Sequence, residues 1–285
     1  MTPAPFALRG GRYLGFERAV VMGVVNVTPD SFSDGGLWFE SEAAIAHGIA
    51  LSEAGAGILD VGGESTRPGA DPVPDEVQLA RVLPVVRGLA ARGLVVSIDT
   101  TSARVAREAL AAGADIVNDI SAFRFDPGML DVLVATGAPA FAMHTRAAPK
   151  VMQRDVHYDD VVAEVVDHLA ERVAAAVAHG VKPSQLGVDP GLGFGKRVDD
   201  NLALVRGLDA LVALGHPVLV GPSRKAFIGH LTGRAVSDRL MGTAAAVAAS
   251  IVAGAHVVRV HDVAALADVV AVADAIRRGA PRAGP

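Results

Sequence analysis

Residues 102–119, SARVAREALAAGADIVND, contain one full copy of the repeat that predicts the fold of this chain. Ser102 is a typical first residue of a helix, and the alanine-rich stretch after it favours helix. Gly113 can adopt the left-handed conformation that commonly ends a helix. The short apolar run at 115–117 then predicts a buried strand, and polar residues follow it directly.

The same repeat recurs along the whole chain. Seven glycines follow helical patterns: Gly55, Gly93, Gly113, Gly137, Gly180, Gly215 and Gly254. Eight apolar, β-branched runs are predicted as strands: 20–25, 58–61, 94–98, 115–117, 138–143, 186–188, 217–220 and 256–260. These runs are continuous rather than alternating, which is typical of parallel strands covered on both faces. Further helix starts are expected at Ser41, Asp126 and Ser237, and Pro84 predicts a kink or a late start in the helix over 75–92.

Eight strands that alternate with helices predict one α/β domain, a (β/α)8 TIM barrel over residues 20–278. An open, doubly wound sheet is the alternative. Residues 1–19 contain Arg9-Gly10-Gly11-Arg12 and predict a short hairpin that caps the bottom of the barrel. Residues 279–285 are expected to form a frayed tail.

The composition of the 285 residues excludes several classes of protein. A hydrophobic fraction of 51% excludes a disordered chain, and the absence of cysteine excludes thiol catalysis and cysteine-ligated metal centres. A net charge of −5 provides no basic field for nucleic acid or a membrane surface. No apolar run is long enough to span a membrane, and the first residues lack the pattern of a secretory signal, so we expect a cytoplasmic protein.

Polar residues follow each predicted strand, at the end of the barrel where such folds carry their chemistry. They are Asn26, residues 62–67, Asp99, Asn118-Asp119, His144, Asp189, Ser223-Arg224-Lys225 and residues 259–262. Asp99, Asn118, Asp189 and Lys225 together predict a binding site. Asp119 and Asp262 are interpreted as caps of the helices that follow them.

Two long loops follow the first two strands, at 26–36 and 62–70. Connections in α/β units usually have about 2–6 residues, so we expect these loops to be mobile lids or binding loops. The sequence GLGFGK at 191–196 is a weak match to a dinucleotide-binding motif, because Lys196 stands at its last position. His157, His168 and His179 lie near one predicted helix without metal-ligand spacing, and we interpret them as surface or hydrogen-bonded histidines.

Seven blocks of sequence resemble the dihydropteroate synthase family of folate biosynthesis. They are, in chain order, MGVVNVTPDSFSDGG, DVGGESTRPGA, SIDT, VNDIS, DPGLGFGK, GPSRK and RVHD. The resemblance extends over roughly residues 20–274. It implies a transferase, inhibited by sulfonamides, that joins a dihydropterin carrying a 6-hydroxymethyl diphosphate to 4-aminobenzoate and releases diphosphate. It also implies a homodimer built through helices late in the barrel.

The resemblance implies a pterin site at the mouth. Asp189 would accept hydrogen bonds from the ring amino group and the adjacent ring N–H, because a carboxylate has two acceptor oxygens. Asp99 and Asn118 would bind other ring heteroatoms. Lys225 would reach the ring carbonyl or a ring nitrogen, and Met143 would form part of the pocket wall.

The resemblance likewise implies an anion site for the diphosphate. Arg259 and His261 lie two residues apart, hence on one face of a strand, and Asn26 and Thr66 would complete this site. Asn26 would also bind Mg²⁺, which would take its other ligands from diphosphate oxygens and water. Departure of diphosphate before attack by the arylamine (an SN1-like order) would need no protein nucleophile.

The aminobenzoate pocket implied by the resemblance comprises Phe32, Ser33, Asp34, Thr66, Arg67, Pro68, Phe194 and Lys225. The chain departs from the family at Ala226, where a serine or a basic residue often contacts the aminobenzoate carboxylate. Arg67 or backbone N–H groups are left as candidates for holding that carboxylate. A second departure is Thr145 after His144, where a larger residue is common.

Three other functions are open at this stage. A methyltetrahydrofolate-binding domain of corrinoid methyltransferases would share the ring-binding residues but should lack the diphosphate pair and the Ser-Arg-Lys block. A silent pterin-binding paralogue would be expected to lose loop residues. A barrel enzyme acting on sugar phosphates fits less well, because the paired donors and acceptors suit a flat heteroaromatic ring.

Overall fold

The structure is a computed structural model that describes residues 2–27, 36–67 and 69–279, with the backbone alone for residues 36–40. The strands are β1 Phe6–Ala7, β2 Tyr13–Leu14, β3 Val20–Asn26, β4 Ile58–Gly62, β5 Val96–Asp99, β6 Ile116–Asp119, β7 Ala140–Met143, β8 Leu186–Asp189, β9 Leu219–Val220 and β10 Val257–Val260. The helices are α1 Gly36–Glu53, α2 Asp75–Ala90, α3 Ala103–Ala112, α4 Met129–Thr136, α5 Val161–His179, α6 Val198–Arg206, α7 Leu208–Val212, α8 Ala226–Thr232, α9 Leu240–Val252 and α10 Val263–Arg278.

Strands β3 to β10 form a closed parallel barrel. Their order is β8-β7-β6-β5-β4-β3-β10-β9, and the ring is completed by a parallel bridge between Val188 and Val218. At this junction the Val188 N–H also donates to the Pro217 carbonyl at 2.8 Å. The predicted (β/α)8 barrel is confirmed, and the open-sheet alternative is wrong.

The two faces of the barrel wall have different compositions. Successive side chains of a strand point to opposite faces, so Leu59 and Val61 of β4 point outward and belong to the main core shared with the helices. Ile58 of the same strand belongs to a second apolar cluster at the bottom of the barrel interior, together with Met22, Ile116, Phe141, Leu219 and Val257. Above this layer several inward positions are polar, among them Asp60, Ser97 and Asn118, and they lead up to the mouth.

The N-terminal residues pack beneath the barrel. β1 and β2 pair antiparallel, and Phe6 and Phe16 are buried in the bottom cluster. The ring of Phe6 lies 5.1 Å from that of Phe16 and 5.3 Å from that of Phe141. Arg12 joins the same end of the barrel through an ion pair of 2.7 Å with the buried carboxylate of Asp115.

Several helix ends follow the local sequence signals and others do not. Ser102 accepts a hydrogen bond from the Val105 N–H at 3.2 Å, as a capping residue does, and Gly113 ends α3 with a φ of +125°. The predicted start at Ser41 is wrong, because α1 already begins at Gly36. The late start predicted from Pro84 is also wrong, because α2 begins at Asp75 and continues through this proline.

We predict that Phe6→Ala lowers the free energy of unfolding by about 3–5 kcal/mol, the usual cost of removing a buried aromatic ring. Urea denaturation followed by circular dichroism measures this change. Tyr13→Ala is the matched control, since Tyr13 is 71% exposed on the adjacent strand. Equal, small effects of the two substitutions would show that the N-terminal residues contribute little to the core.

Candidate active site

Buried polar side chains converge at the carboxyl end of the barrel. Arg259 of β10 reaches across the interior, and its Nη2 donates to Asp99 Oδ2 at 2.8 Å while its Nε donates to Asp60 Oδ2 at 2.6 Å. Asn118 Nδ2 donates to the same Asp60 oxygen at 3.0 Å. The predicted residues Asp99, Asn118 and Arg259 therefore form one connected network.

Asp60 is the member of this network that the sequence reasoning missed. It lies inside the apolar run of β4, and its side chain is fully buried. A signal was available, because a carboxylate inside a buried strand is costly unless it has an ionic or hydrogen-bonding partner. An acidic residue in the middle of a predicted strand thus indicates an inward-facing partner on another strand.

The electrostatics of Asp99 follow from its burial among other carboxylates. Burial raises the pKa of Asp99 to about 7, the Arg259 guanidinium acts against this rise, and Asp60 and Asp119 add to it. The negative charge of Asp99 is thus only partly favoured at neutral pH. A ligand that donates hydrogen bonds to this carboxylate would stabilise its ionised form.

Asp189 and Lys225 form the second part of the site. Asp189 Oδ1 accepts the Gly191 N–H at 2.6 Å, and burial raises the pKa of Asp189 to about 6. Burial lowers the pKa of Lys225 to about 8, with the Arg259 charge contributing in the same direction. The Lys225 ammonium lies 4.2 Å from the centre of the Phe194 ring, a cation–π contact that fixes both groups.

Glycines explain the course of residues 191–195, the segment that weakly matched a dinucleotide motif. Gly191, Gly193 and Gly195 have φ values of +67°, +80° and +60°, which glycine adopts without strain. A Cβ on Gly191 would collide with the His144 carbonyl oxygen, and one on Gly193 would lie 3.0 Å from Lys225. Here the glycines let the segment pack closely against the neighbouring strand ends.

Lys196 anchors the same segment and was not assigned a role from the sequence. Its buried Nζ lies 3.0 Å from the Phe194 carbonyl oxygen and 2.9 Å from His144 Nδ1. Burial lowers the pKa of Lys196 to about 7, although the nearby Asp189 carboxylate acts in the opposite direction. Through these contacts Lys196 ties Phe194 to the end of β7.

His261 lies next to Arg259 at the end of β10. Its Nδ1 is 2.9 Å from the Ser223 hydroxyl, which also accepts the His261 backbone N–H at 3.2 Å. The Ser223 hydroxyl can donate its hydrogen to Nδ1 while it accepts this N–H, and in that arrangement the neutral ring carries its proton on Nε2. Burial, together with Arg259 and Arg224, lowers the pKa of His261 to about 4.

Two further predicted residues line the edges of the mouth. The side-chain oxygen of Asn26 faces Gly62, where a Cβ would be 3.8 Å from it and 3.7 Å from Asp99 Oδ2. The absence of a side chain at Gly62 therefore leaves Asn26 and Asp99 facing common space. Met143 is buried in a small apolar cluster with Ile120, Met152 and Phe194.

A cavity of about 250 Å³ lies beside Asp99, between residues 64–66, Ala70 and Pro72 on one side and residues 148–150 on the other. Thr66 and Asp99 line it, together with Thr100, Ile120 and Phe125. Arg67 is exposed next to this region. The remaining predicted loop residues, Phe32, Ser33, Asp34 and Pro68, lie outside the described residues.

Three interpretations of polar residues need correction. Asp119 accepts the Ser121 N–H at 2.7 Å and holds the turn after β6, but α4 begins only at Met129. Asp262 does not cap α10 with its side chain and instead pairs with Arg224 at 2.5 and 2.9 Å.

His168 is neither a surface histidine nor hydrogen-bonded at its Nε2 among the described residues, in contrast to the prediction. His157 and His179 do contact carboxylates at the surface, as their interpretation expected. His168 is half-buried, its ring centre lies 4.9 Å from that of His144, and its buried Nε2 has no hydrogen-bonding partner among the described residues. Helical spacing alone did not reveal that this side chain faces the barrel wall.

Comparisons with known proteins show which family the chain belongs to. A family model described as pterin binding enzyme matches residues 22–261. A dihydropteroate synthase of Synechocystis sp. is 45% identical over 264 residues, which are 92% of this chain and 91% of the relative. The structure of Xanthomonas albilineans dihydropteroate synthase with 4-aminobenzoic acid is 47% identical with a TM-score of 0.90, covering 98% of this chain and 100% of its own.

The Xanthomonas albilineans enzyme in complex with 7,8-dihydropteroate is 45% identical with a TM-score of 0.86, covering 97% of this chain and 100% of its own. The chain therefore belongs to the pterin-binding enzymes, the class that its barrel and polar mouth define. Within that class it belongs to the dihydropteroate synthases, enzymes that transfer a pterinylmethyl group.

We predict that the ring of His261 does not change its protonation state between pH 5 and pH 8, because its pKa is lowered to about 4. Ring nitrogen and proton shifts measured by NMR across this range, assigned with His261→Gln, test the prediction. A midpoint near the ordinary histidine value would show that Arg259 and the buried surroundings do not act on this ring as described.

Proposed function

We propose that the chain condenses a (7,8-dihydropterin-6-yl)methyl diphosphate with 4-aminobenzoate to give 7,8-dihydropteroate and diphosphate. The observation that supports this most is that two sets of side chains with different binding chemistry lie together at the mouth of the barrel. Asp99, Asn118 and Asp189 offer hydrogen-bonding groups for a flat polar ring, whereas Arg259 and His261 offer N–H donors for an anion.

In this proposal the pterin ring binds at the buried carboxylates. Asp189 accepts from the ring amino group and the adjacent ring N–H, and the Gly191 N–H fixes the carboxylate for this contact. Asp99 and Asn118 bind other ring heteroatoms, and Lys225 donates to the ring carbonyl or a ring nitrogen. Since these groups are buried, an unpaired partner would be costly, which favours a ring with a complementary edge.

The diphosphate binds on the opposite side, next to Arg259 and His261, with Asn26 and Thr66 at the rim. The C–O bond at the pterin methyl carbon breaks first, and diphosphate leaves with the bonding electron pair. The ring stabilises the resulting cation by resonance. The aminobenzoate nitrogen then attacks the carbon to form the C–N bond and releases one proton to solvent.

The residues near Asn26 fit a magnesium ion that is held mainly by its substrate. The described residues contain no group of three or more His, Asp or Glu that could hold a metal. Mg²⁺ commonly keeps several waters and binds through one or two protein oxygens plus substrate phosphates, which a single amide oxygen at Asn26 can satisfy. When bound, Mg²⁺ would offset the negative charge of the diphosphate.

The aminobenzoate would lie beside Phe194 and Lys225, near Thr66. Phe194 is held against Lys225 by the cation–π contact and against Met143 by apolar packing. Arg67, exposed near the mouth, or backbone N–H groups would bind the aminobenzoate carboxylate, since Ala226 offers no polar side chain. Phe32, Ser33, Asp34 and Pro68 complete this proposal from outside the described residues.

The proposed assembly is a homodimer. Among the described residues, exposed apolar side chains occur on and between the late helices: Leu231, Val236, Met241, Val252, Val272 and Ile276. Such side chains are typical of a protein interface when they form one patch.

No described helix is long and apolar enough to cross a membrane. A cytoplasmic location stays a prediction.

The test of the proposed function is release of diphosphate by the purified protein, with and without 4-aminobenzoate and Mg²⁺. We expect Mg²⁺-dependent release and formation of dihydropteroate when aminobenzoate is present. Release without dihydropteroate would contradict the condensation, and binding of the pterin without any release would instead support a silent paralogue.

We predict that Asp189→Asn weakens pterin binding by about 100-fold or more, because two charge-assisted hydrogen bonds worth roughly 1.5–3 kcal/mol each lose their acceptor charge. Calorimetry measures this affinity. Asp115→Asn is the matched control, since Asp115 is equally buried but pairs with Arg12 beneath the barrel. Near-normal affinity of the Asp189 variant would remove this residue from the ring site.

We predict that Met241→Glu shifts the protein from dimer to monomer in sedimentation equilibrium. Met241 is 79% exposed on α9, and a charge in the centre of an apolar interface disfavours association. A wild-type protein that sediments as a monomer would contradict the proposed assembly.

A further inference from the structure

Asp60 contacts both halves of the proposed site with a single oxygen. Its Oδ2 accepts from Arg259 Nε at 2.6 Å and from Asn118 Nδ2 at 3.0 Å. Arg259 belongs to the proposed diphosphate side, and Asn118 belongs to the ring side. Asp60 itself is fully buried below the mouth, so it touches the residues that would bind substrate rather than the substrate.

The contacts of Arg259 leave one edge of its guanidinium available. Nε is held by Asp60 and Nη2 by Asp99, whereas Nη1 has no hydrogen-bonding partner among the described residues. The side chain of Arg259 is 21% exposed. A planar guanidinium held at two nitrogens has a fixed orientation, so the direction in which Nη1 can donate is fixed by the two carboxylates.

The strand register places Asp60 one layer below the residues of the mouth. On β4 it is paired with Val24 of β3 and Ser97 of β5, one inward position below Gly62. Gly62 is in turn paired with Asn26 and Asp99, at the mouth. Asp60 therefore supports the mouth residues from the layer beneath them.

We propose that Asp60 is a positioning residue that orients Asn118 for the pterin ring and Arg259 for the diphosphate, and so couples the two halves of the site. This inference rests on the proposed function. Loss of the Asp60 charge would weaken its hydrogen bonds with Arg259 and Asn118 at once, leaving Arg259 held by Asp99 alone and Asn118 without its carboxylate partner. A residue with a merely structural role would lower stability without changing both affinities.

The experiment measures two affinities separately by calorimetry. One probe is 6-hydroxymethyl-7,8-dihydropterin, which has the ring but no diphosphate, and the other is inorganic diphosphate with Mg²⁺. We expect Asp60→Asn to weaken both probes by at least tenfold. Asn118→Ala should weaken chiefly the ring probe, and Arg259→Lys should weaken the diphosphate probe more than the ring probe, which it reaches only through Asp99.

Ser97→Ala is the matched control for a changed polar group in the same buried layer. Ser97 is fully buried beside Asp60 in the register, and its hydroxyl has no hydrogen-bonding partner among the described residues. We expect both affinities of this variant to stay within twofold of wild type. A loss of both affinities in Ser97→Ala as well would show that any disturbance of the layer has this effect, and would overturn the specific role of Asp60.

The outcomes separate this inference from the proposed function. Wild-type protein that binds neither probe would contradict the proposed function. Wild-type binding of both probes, with a folded Asp60→Asn variant that loses neither or only one of them, would overturn the coupling by Asp60 and leave the proposed function standing.

If Asp60→Asn does not fold, the wild-type protein still tests the inference. Arginine labelled with ¹⁵N allows the Arg259 Nε–H to be followed by NMR, with Arg259→Lys for assignment. We expect slow exchange of this hydrogen with solvent and a shift of its signal when the ring-only probe binds. Fast exchange, or a signal that the ring-only probe does not change, would overturn the proposal.

Discussion

The pairing of Arg259 with Asp60 and Asp99 is the interaction on which the mouth of the barrel depends. Two carboxylates buried in the interior would be costly without a positive partner, and Arg259 supplies it to both. Removing Arg259 would leave both acids without their cation, whereas removing one acid would still leave a paired arginine. The position of the Arg259 guanidinium therefore fixes the positions that the Asp60 and Asp99 carboxylates can occupy.

This polar layer in turn requires the apolar layer below it. The strand interiors at the bottom are filled by Met22, Ile58 and Phe141, and Phe6 and Phe16 close that end from outside the barrel. The charged groups above therefore lie between this apolar layer and the open mouth. The raised pKa of Asp189 and the lowered pKa of Lys225 are both consequences of this burial.

Local sequence patterns predicted the strands, the barrel and most strand-end residues, because these depend on short-range periodicity and on where parallel strands end. They failed where a partner lies far away in the sequence. Asp262 is an acceptable cap by its position, yet Arg224 lies 38 residues earlier and takes its carboxylate. Asp60 and Arg259 are 199 residues apart, so only closure of the barrel brings them together. The Ser41 error is different, since a strong start signal can also occur inside a longer helix.

The number of paired backbone positions between neighbouring strands varies around the barrel. β9 has two residues and joins β8 through one bridge outside the named strands, whereas β7 and β8 share four paired positions. Fewer backbone hydrogen bonds lower the free energy of local opening. This seam separates the strand that ends at Asp189 from the segment that carries Ser223 and Lys225. Local opening at this junction would change the distance between Asp189 and Lys225, two of the residues proposed to bind the ring, without breaking the seven other strand junctions.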